Sequence, residues 1–324
     1  MRRAFLLNAV ALLGLAATTA PVALAQSFES KVIRIVVPAA STTPPDIISR
    51  IIANELSSRE GWRVIVENRP GAGGIVAGND VLRQPADGTS ILAVFLPNVA
   101  APAIMNVPYR LDVDFSPLIK VSVSYNALVV NPLFPAHSVA ELVALLKRQP
   151  DKYNFSSGGY GTPAHLIGEL FKLQAGVHAT HVPYQQFPQA ISDLLNGTND
   201  YMFITMLPVV DLINAGELRA LAVTGPRRVP ALKDVPTIVE AGFPQLVVED
   251  WVGFIVKAGT PTETVMRLNQ AINRAITSSK VRESFARIGA EPAGGASEKF
   301  GELLKSQLVH WQKVVTEAGI KIQP

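Results

Sequence analysis

Two long apolar runs, at residues 121–130 and 246–256, divide the chain into two sets of alternating strand and helix patterns. Each run is long enough for an extended strand that leaves one sheet and enters another. Short apolar strands that alternate with amphipathic helices favour an α/β fold with mainly parallel sheets. We therefore predict two α/β lobes that are joined by two long crossover strands.

The first set of patterns opens the predicted first lobe. Residues 31–37 form a near-continuous β-branched run, which is typical of a strand buried on both faces. Isoleucines at helical spacing follow Pro45 and predict a helix. Two further strands are predicted at 63–67 and 91–96, with a helix at 76–82 between them.

The second set lies between the two long runs. It predicts four helices, near 139–147, 163–175, 188–196 and 208–215, and four strands, at 153–155, 180–182, 201–204 and 218–224. Three more helices are predicted to close the chain, near 261–277, 280–287 and 297–317. The predicted first lobe holds residues 27–122 and 255–324, and the second lobe holds residues 123–254.

The N-terminus has the parts of a secretory signal peptide. Arg2-Arg3 is basic, residues 5–17 are apolar, and Ala23-Leu24-Ala25 provides a small-x-small cleavage site. We predict a signal peptide at residues 1–25 and a mature chain that starts near Gln26. The alternative is a transmembrane anchor, which is disfavoured because the apolar core is too short to span a bilayer comfortably. The predicted location of the mature chain is the periplasm.

The composition excludes several functions. Of the 324 residues, 48% are hydrophobic, which is enough for two medium-sized cores. Removal of the signal leaves 27 of the 29 Lys and Arg against 26 Asp and Glu, so no basic stripe favours nucleic acid. The chain has no cysteine, which excludes disulfides, thiolate chemistry and cysteine-ligated metals and argues against a lipid-anchored lipoprotein.

Catalytic patterns are missing from the sequence. Gly-x-Ser-x-Gly and Ser-x-x-Lys do not occur, and residues 71–74 lack the ending of a Walker loop. His178 and His181 lie at a predicted loop-to-strand transition without acids beside them, so no metal site is predicted. Export, two lobes and no catalytic set favour a receptor that closes around a small solute by hinge motion, without a cofactor.

A glycine-rich stretch at residues 156–165, here called the glycine loop, joins a predicted strand to a predicted helix. Such a turn gathers free backbone N–H groups and the positive end of a helix dipole, which suits a carboxylate or phosphate. The alternative is an ordinary tight turn, with Thr162 as the N-cap and Pro163 in the first helical position. His165 lies in the first turn of this helix, where a ligand role and a local structural role are both open.

A set of motifs in this order resembles the Bug receptors, the periplasmic solute-binding receptors of tripartite tricarboxylate transporters. The similarity runs from about Lys31 to the C-terminus. The motifs are Ile35-Val36-Val37-Pro38 with Asp46, residues 66–74 (VENRPGAGG), Pro85-Ala86-Asp87-Gly88, residues 161–165 (GTPAH), His181-Val182-Pro183-Tyr184, residues 218–224 (LRALAVT) and residues 234–242 (DVPTIVEAG).

The resemblance implies a Venus-flytrap fold with two α/β lobes and no catalytic activity. It implies a carboxylate ligand that is held by backbone N–H groups, hydroxyls and bridging waters from two loops. One is the first loop, residues 39–46, and the other is the glycine loop. It also implies delivery of the ligand to a membrane permease.

The first loop departs from the family pattern. The family usually has a Gly-Gly pair and a Thr there, whereas this chain has Thr42 and Thr43 in place of the glycines and Pro45 in place of the Thr. Proline donates no N–H and stiffens the loop. Hydroxyls of Ser41, Thr42 and Thr43 are substitute donors. The alternative is a carboxylate grip that is weakened or shifted towards the glycine loop.

The predicted pocket is more apolar than the family pattern. Ile204 stands where an Asp is common, and it cannot accept a hydrogen bond from an amino or hydroxyl group. Gln185, Gln186 and Phe187 replace a basic residue and glycines. With aromatic rings of Tyr160, Phe187 and Phe95 nearby, we expect a ligand with one or two carboxylates on an apolar or aromatic body, such as a benzene carboxylate.

The sequence thus predicts a monomeric solute receptor with transporter permease subunits as partners and no nucleic-acid partner. A ligand-sensing component of a signalling system and an exported enzyme are the alternative functions. The candidate ligand-binding residues come from both loops and from strand ends. They are Ser41, Thr42, Thr43, Asp46, Asn98, Ser157, Gly158, Gly159, Tyr160, Gly161, Thr162, His165, Tyr184, Phe187, Ile204 and Thr205.

Overall fold

The computed structural model describes residues 31–184, 187–206 and 208–320. The predicted signal peptide at residues 1–25 lies outside the described residues, as do Gln185 and Gln186. Within the described ranges, no helix is both long enough and apolar enough to cross a membrane.

The first sheet has six strands. In chain order they are β1 (Val32–Val37), β2 (Arg63–Asn68), β3 (Ser90–Phe95), β4 (Phe115–Ser124), β10 (Asp250–Lys257) and β11 (Ala290–Pro292). Their order across the sheet is β11-β4-β10-β3-β1-β2. β1 is parallel to β2 and β3, whereas β10 is antiparallel to both β3 and β4.

The second sheet has five strands. They are β5 (Asn126–Val130), β6 (Asn154–Ser157), β7 (Thr180–Pro183), β8 (Tyr201–Thr205) and β9 (Arg219–Val223), in the order β7-β6-β8-β5-β9. β6 is parallel to β7 and β8, and β5 is antiparallel to β8 and β9. The predicted α/β fold with two lobes is confirmed, since each sheet carries helices of its own.

Ten helices accompany the sheets. They are α1 (Pro44–Glu60), α2 (Ile75–Leu82), α3 (Leu96–Ile104), α4 (Val139–Arg148), α5 (Pro163–Ala175), α6 (Phe187–Leu195), α7 (Val210–Asn214), α8 (Thr262–Ile276), α9 (Ser279–Arg287) and α10 (Ser297–Glu317), as far as the described residues extend.

The core explains why β1 is so apolar. Ile35 of β1 lies in a cluster with Ile52 of α1 and Ile272 of α8, whereas the next residue, Val36, lies in a cluster with Val99 of α3 and Trp311 of α10. Successive side chains of a strand point to opposite faces, so both faces of β1 are covered by helices. The prediction of a strand buried on both faces is confirmed.

The first crossing between the sheets is nearly straight. β4 ends at Ser124 in the first sheet, and β5 begins at Asn126 in the second sheet. Only Tyr125 lies between them, and its side chain is buried. The long strand predicted at residues 121–130 is therefore two consecutive strands, β4 and β5, which are separated by one residue and belong to different sheets.

The second crossing differs from the prediction of one long strand at residues 246–256. β9 ends at Val223, residues 224–249 form an irregular segment with two short 3-10 turns, and β10 begins only at Asp250. One of these turns contains Pro244, which has no N–H for a sheet. Since all of β10 pairs in the first sheet, we propose residue 249 as the end of the second lobe in place of 254.

Two elements escaped prediction. α3 carries Pro97 in its first turn and Pro102 in its interior, where proline is normally unfavourable. Strand β11 is only three residues long and pairs with β4 at the edge of the first sheet. The apolar residues of α3 do recur at helical spacing, at Leu96, Val99 and Ala100, but its two prolines argue against a helix, and β11 is too short to show a strand pattern.

Candidate ligand-binding site

A cavity of about 410 Å³ lies between the two sheets. Its residues come from both lobes: from the first loop and α1, from the end of β3, from the crossing strands, and from the glycine loop with α5 and α6. The lining residues are Ala39, Thr42, Thr43, Pro44, Pro45, Ile48, Phe95, Pro97, Ser124, Asn126, Gly158, Thr162, Pro163, Ala164, Phe187, Pro188, Phe203, Ile204, Thr205, Pro208, Asp250 and Val252.

The first loop presents few backbone donors to this cavity. Thr43 precedes α1 in an extended conformation, and Pro44 and Pro45 fill the first two helical positions. The first N–H groups of a helix are those that a bound anion normally uses, and proline has none. The hydroxyl of Thr43 donates to the carbonyl of Ala40 at 2.7 Å, so this group is also engaged within the loop.

The carboxylate of Asp46 holds the first loop in place. It accepts hydrogen bonds from the Thr42 N–H at 2.9 Å, from Arg50 Nε at 3.1 Å and from Asn68 Nδ2 at 2.9 Å. Burial alone would raise the pKa of Asp46, but these hydrogen bonds hold that pKa below its ordinary value. Asp46 is 2% exposed and its carboxylate is already hydrogen-bonded within and behind the first loop, so it serves the loop and not the ligand.

Thr42 is strained. Its φ of 67° lies in the left-handed region, which a β-branched residue rarely adopts. Its N–H nevertheless bonds to Asp46, which fixes the loop in this conformation. Strain of this kind is found where a loop is held for function.

Replacing Thr42 by glycine is expected to raise the free energy of unfolding by about 1 kcal/mol, because glycine adopts a positive φ without steric cost. Urea titration of both proteins measures the difference. Thr43→Gly is the matched control: Thr43 has a φ of −76°, so glycine there should lower the free energy of unfolding. Destabilisation by both substitutions would contradict the strain at Thr42.

The glycine loop is built by its own hydrogen bonds. Gly159 N–H donates to Ser157 Oγ at 3.1 Å, and Thr162 Oγ1 donates to the Gly159 carbonyl at 2.7 Å. Gly161 N–H donates to His165 Nδ1 at 3.0 Å. Gly159 and Gly161 have φ of 114° and 74°, which require glycine. These contacts fix the direction in which α5 begins.

Two stacked histidines, His165 and His181, pack against the glycine loop and hydrogen-bond to it. The rings of His165 and His181 stack with centroids 4.2 Å apart, Phe155 stacks on the other side of His181, and Tyr160 meets both imidazoles edge-on. His181 Nε2 lies 2.7 Å from Ser157 Oγ. Because Nδ1 of His165 accepts a hydrogen bond, the neutral ring carries its proton on Nε2.

Both histidines are neutral at ordinary pH. Burial, with a smaller contribution from the nearby charge of Lys172, lowers the pKa of His165 to about 4. Burial lowers the pKa of His181 to about 3, with contributions from His165 and Lys172. The acceptor that His165 offers to the glycine loop is therefore retained across the neutral range.

The N-terminus of α5 opens into the cavity. Thr162, Pro163 and Ala164 all line it. Among the described residues, no group accepts a hydrogen bond from the N–H of Ala164. This N–H and the positive end of the α5 dipole therefore present an anion-binding position, which α1 lacks because of its two prolines.

The remaining walls are largely apolar. Phe95, Phe187, Phe203, Ile204 and Val252 contribute rings and aliphatic groups to the cavity. The Phe187 ring packs so closely on Gly158 that a Cβ at that position would come within 3.0 Å of it. The cavity thus combines one anion-binding end with an apolar interior, as small-molecule sites commonly do.

The structure brings seven of the predicted residues to the cavity. They are Thr42, Thr43, Gly158, Thr162, Phe187, Ile204 and Thr205. Four more, Ser157, Gly159, Gly161 and His165, shape the glycine loop behind it. Ligand contact by any of these residues stays a proposal.

The other predicted residues lie outside the cavity, and most of them make hydrogen bonds or packing contacts within the protein. Asn98 accepts from the Phe95 N–H and donates to the Gly73 carbonyl, and the Tyr184 hydroxyl donates to Asp193 at 2.6 Å. Tyr160 packs on the two histidines, and Ser41 is exposed. None of them lines the cavity described above.

Three polar lining residues were not predicted. Ser124, Asn126 and Asp250 lie where the chain crosses between the sheets. The signal for them was present, since each interrupts or borders an apolar run that was predicted as a crossover strand. Polar residues at such a crossing face the cleft between the lobes.

Comparisons with known proteins agree with this architecture. The model of the tripartite tricarboxylate transporter family receptor matches residues 48–320. Protein BugT of Bordetella pertussis is 31% identical over 314 residues, which cover 95% of each chain.

Two solved structures are similar over nearly their whole length. R. palustris Rpa4515 with adipate is 32% identical at a TM-score of 0.81, covering 90% of this chain and 99% of that one. MatC from Rhodopseudomonas palustris with bound malate is 29% identical at a TM-score of 0.77, covering 88% and 98%. The family matches therefore extend across both lobes.

Proposed function

The chain belongs to the tripartite tricarboxylate transporter receptor family, and on this premise we propose which ligand it takes. It is a Bug-type solute-binding receptor for carboxylates and not an enzyme. Members of the family are periplasmic binding proteins. We propose that the ligand of this chain carries one or two carboxylates on an apolar or aromatic body.

The observation that carries this proposal is the N–H of Ala164 at the N-terminus of α5, which has no acceptor among the described residues and belongs to a residue that lines the cavity. A carboxylate placed there accepts a charge-assisted hydrogen bond and meets the positive end of the dipole. The opposite loop offers less, because Pro44 and Pro45 have no N–H. The carboxylate is therefore held mainly by the second lobe.

The walls support an apolar body for the ligand. Phe95 ends β3 of the first sheet, Phe203 lies in the middle of β8 of the second sheet, and Phe187 begins α6. Rings on several sides favour an aromatic or aliphatic body that buries its surface against them. The adipate bound to Rpa4515 has two carboxylates on an aliphatic body, which is consistent with this class.

The receptor is further proposed to act as a monomer that is exported with cleavage near Ala25 and presents its ligand to membrane permease subunits. The two crossings, at Tyr125 and at residues 224–249, allow the lobes to rotate about a hinge. Closure would bring the first loop against a carboxylate already bound at α5.

A thermal-shift screen of the mature chain, residues 26–324, tests the ligand class. Benzoate, terephthalate, adipate and aspartate are the probes. A probe present at about 100 times its Kd should add roughly 2.7 kcal/mol of stability. We expect the acids with an apolar body to raise the melting temperature most. Tight binding of aspartate without a response to the aromatic acids would contradict the proposed class.

A further inference from the structure

Four polar residues meet at one side of the cavity, here called the cavity floor: Ser124, Asn126, Thr205 and Asp250. In the sheets, Asp250 pairs with Ser124, and Asn126 pairs with Thr205. All four line the cavity, whose other walls are largely apolar. The cavity floor therefore belongs to the strands at the crossings between the lobes, whereas the carboxylate position belongs to α5.

Asn126 has hydrogen-bonding capacity that the protein does not use. Its backbone N–H donates to Thr224 Oγ1, and its carbonyl accepts from the Thr224 N–H. Its side chain is fully buried, yet neither Oδ1 nor Nδ2 has a partner among the described residues. Buried polar groups are normally paired, so an unpaired amide beside a cavity points to a partner that enters from the cavity.

Asp250 is the second unpaired group of the cavity floor. Trp251 packs on Phe300 with ring centroids 5.7 Å apart, so its neighbours Asp250 and Val252 point to the opposite face, towards the cavity. Within the described ranges the Asp250 carboxylate has neither an ion pair nor a hydrogen bond. Ser124 Oγ donates only to the Asp250 backbone carbonyl.

Cations on neighbouring segments are engaged elsewhere. Lys120 pairs with Glu249, and Arg227 pairs with Glu291. Burial raises the pKa of Asp250 to about 7, which reflects a carboxylate without a countercharge. If the ligand placed a second carboxylate beside Asp250, the two negative charges would repel each other with no cation between them. A hydrogen-bond donor would instead satisfy Asp250 and the Asn126 amide oxygen together.

We propose that Asn126 and Asp250 form a subsite for a hydrogen-bond donor of the ligand, a protonated amine or a hydroxyl, at the end of the ligand remote from its carboxylate. This inference rests on the proposed carboxylate receptor and narrows its ligand to amino- or hydroxy-substituted acids with an apolar body. Ile204 offers no acceptor, and Asp250 supplies one from a different strand.

A matched series of ligands tests the subsite in the wild-type protein. Benzoate, 4-hydroxybenzoate, 4-(aminomethyl)benzoate and terephthalate share one carboxylate and one ring and differ only in the remote group. We expect calorimetry at pH 8 to give at least tenfold tighter binding for the two acids with a donor than for benzoate, and the weakest binding for terephthalate. Terephthalate binding as tightly as the donor acids would overturn the subsite.

Asp250→Asn removes the charge and keeps the size of the side chain. We expect it to abolish the advantage of 4-(aminomethyl)benzoate over benzoate and to leave benzoate binding within about twofold. Glu249→Gln, a neighbouring acid that pairs with Lys120, is the matched control and should keep the advantage. An unchanged advantage in Asp250→Asn would overturn the subsite while the carboxylate receptor stands. Absence of binding by every acid would overturn both.

Discussion

Replacing Ala164 by proline is expected to weaken carboxylate binding about 10- to 100-fold while the fold is retained. Ala164 is the second residue of α5 and lines the cavity. The substitution removes its N–H, which has no acceptor among the described residues. A hydrogen bond to a charged group contributes about 1.5–3 kcal/mol, which corresponds to this loss in affinity. Calorimetry with benzoate and adipate measures it.

The fold should tolerate this proline because the chain already contains the same arrangement. α1 begins with Pro44 and Pro45 in its first two positions, and α5 begins with Pro163. Proline at the first turn of a helix removes only N–H groups that have no partner within the helix. Ala164→Gly keeps the N–H and is the matched control, with wild-type affinity expected within about threefold.

The reciprocal change should act in the opposite direction. Pro45→Ala restores an N–H at the second position of α1, across the cavity from α5. We expect tighter carboxylate binding, by up to about tenfold, because the first loop then contributes a donor. Full affinity in Ala164→Pro together with tighter binding in Pro45→Ala would place the carboxylate at the first loop and contradict the assignment to α5.

The fold was largely predictable because its signals are local. Residues 31–37 are β-branched on both faces, and the structure covers both faces of β1 with helices. The second crossing was predicted wrongly as one strand at residues 246–256. Leu246 belongs to the apolar run in the sequence, but it does not belong to a strand in the structure. In the structure this residue ends a 3-10 turn and fills the core.

The site was predictable only in part, because a polar side chain does not reveal its partner in the sequence. Asp46 and Tyr184 have the chemistry of ligand contacts, yet Arg50, Asn68 and Asp193 use that chemistry internally. Arg50 lies on the same helix as Asp46, but Asn68 ends another strand, β2, and reaches Asp46 only when the chain folds. Conversely, Asn126 and Asp250 stand out in the sequence only as polar residues in or beside apolar runs, and the pairing of strands is what places them at the cavity.

Acidification is expected to destabilise the folded chain through the stacked pair His165 and His181. Their pKa values are lowered to about 4 and about 3, whereas a histidine in an unfolded chain titrates near 6.5. Below pH 6.5 the unfolded chain therefore binds more protons than the folded chain, so the free energy of unfolding falls as pH falls towards 4. His165 alone accounts for on the order of 3 kcal/mol.

Buried or hydrogen-bonded carboxyl groups also change the stability with pH, but in the opposite direction or in a different pH range. Asp250 has a raised pKa, so its contribution to stability grows as pH falls below about 7 and opposes the histidines. Asp46 and Glu67 have lowered pKa values, and their contributions are lost only below the ordinary carboxyl range near pH 4. These carboxyl groups are present in both a histidine variant and the wild type, so their contributions cancel when the two pH profiles are compared.

His181→Phe keeps an aromatic ring against Phe155 and removes one titrating group. Its free energy of unfolding, from urea titration, should fall less between pH 7 and pH 4.5 than that of the wild type, whatever its value at pH 7. His178→Asn removes an exposed histidine and should follow the wild type. An equal fall in His181→Phe would contradict the role of the pair. Because His165 Nδ1 accepts the Gly161 N–H, protonation of His165 in the folded chain releases the glycine loop, so carboxylate affinity should decline as pH falls towards about 4.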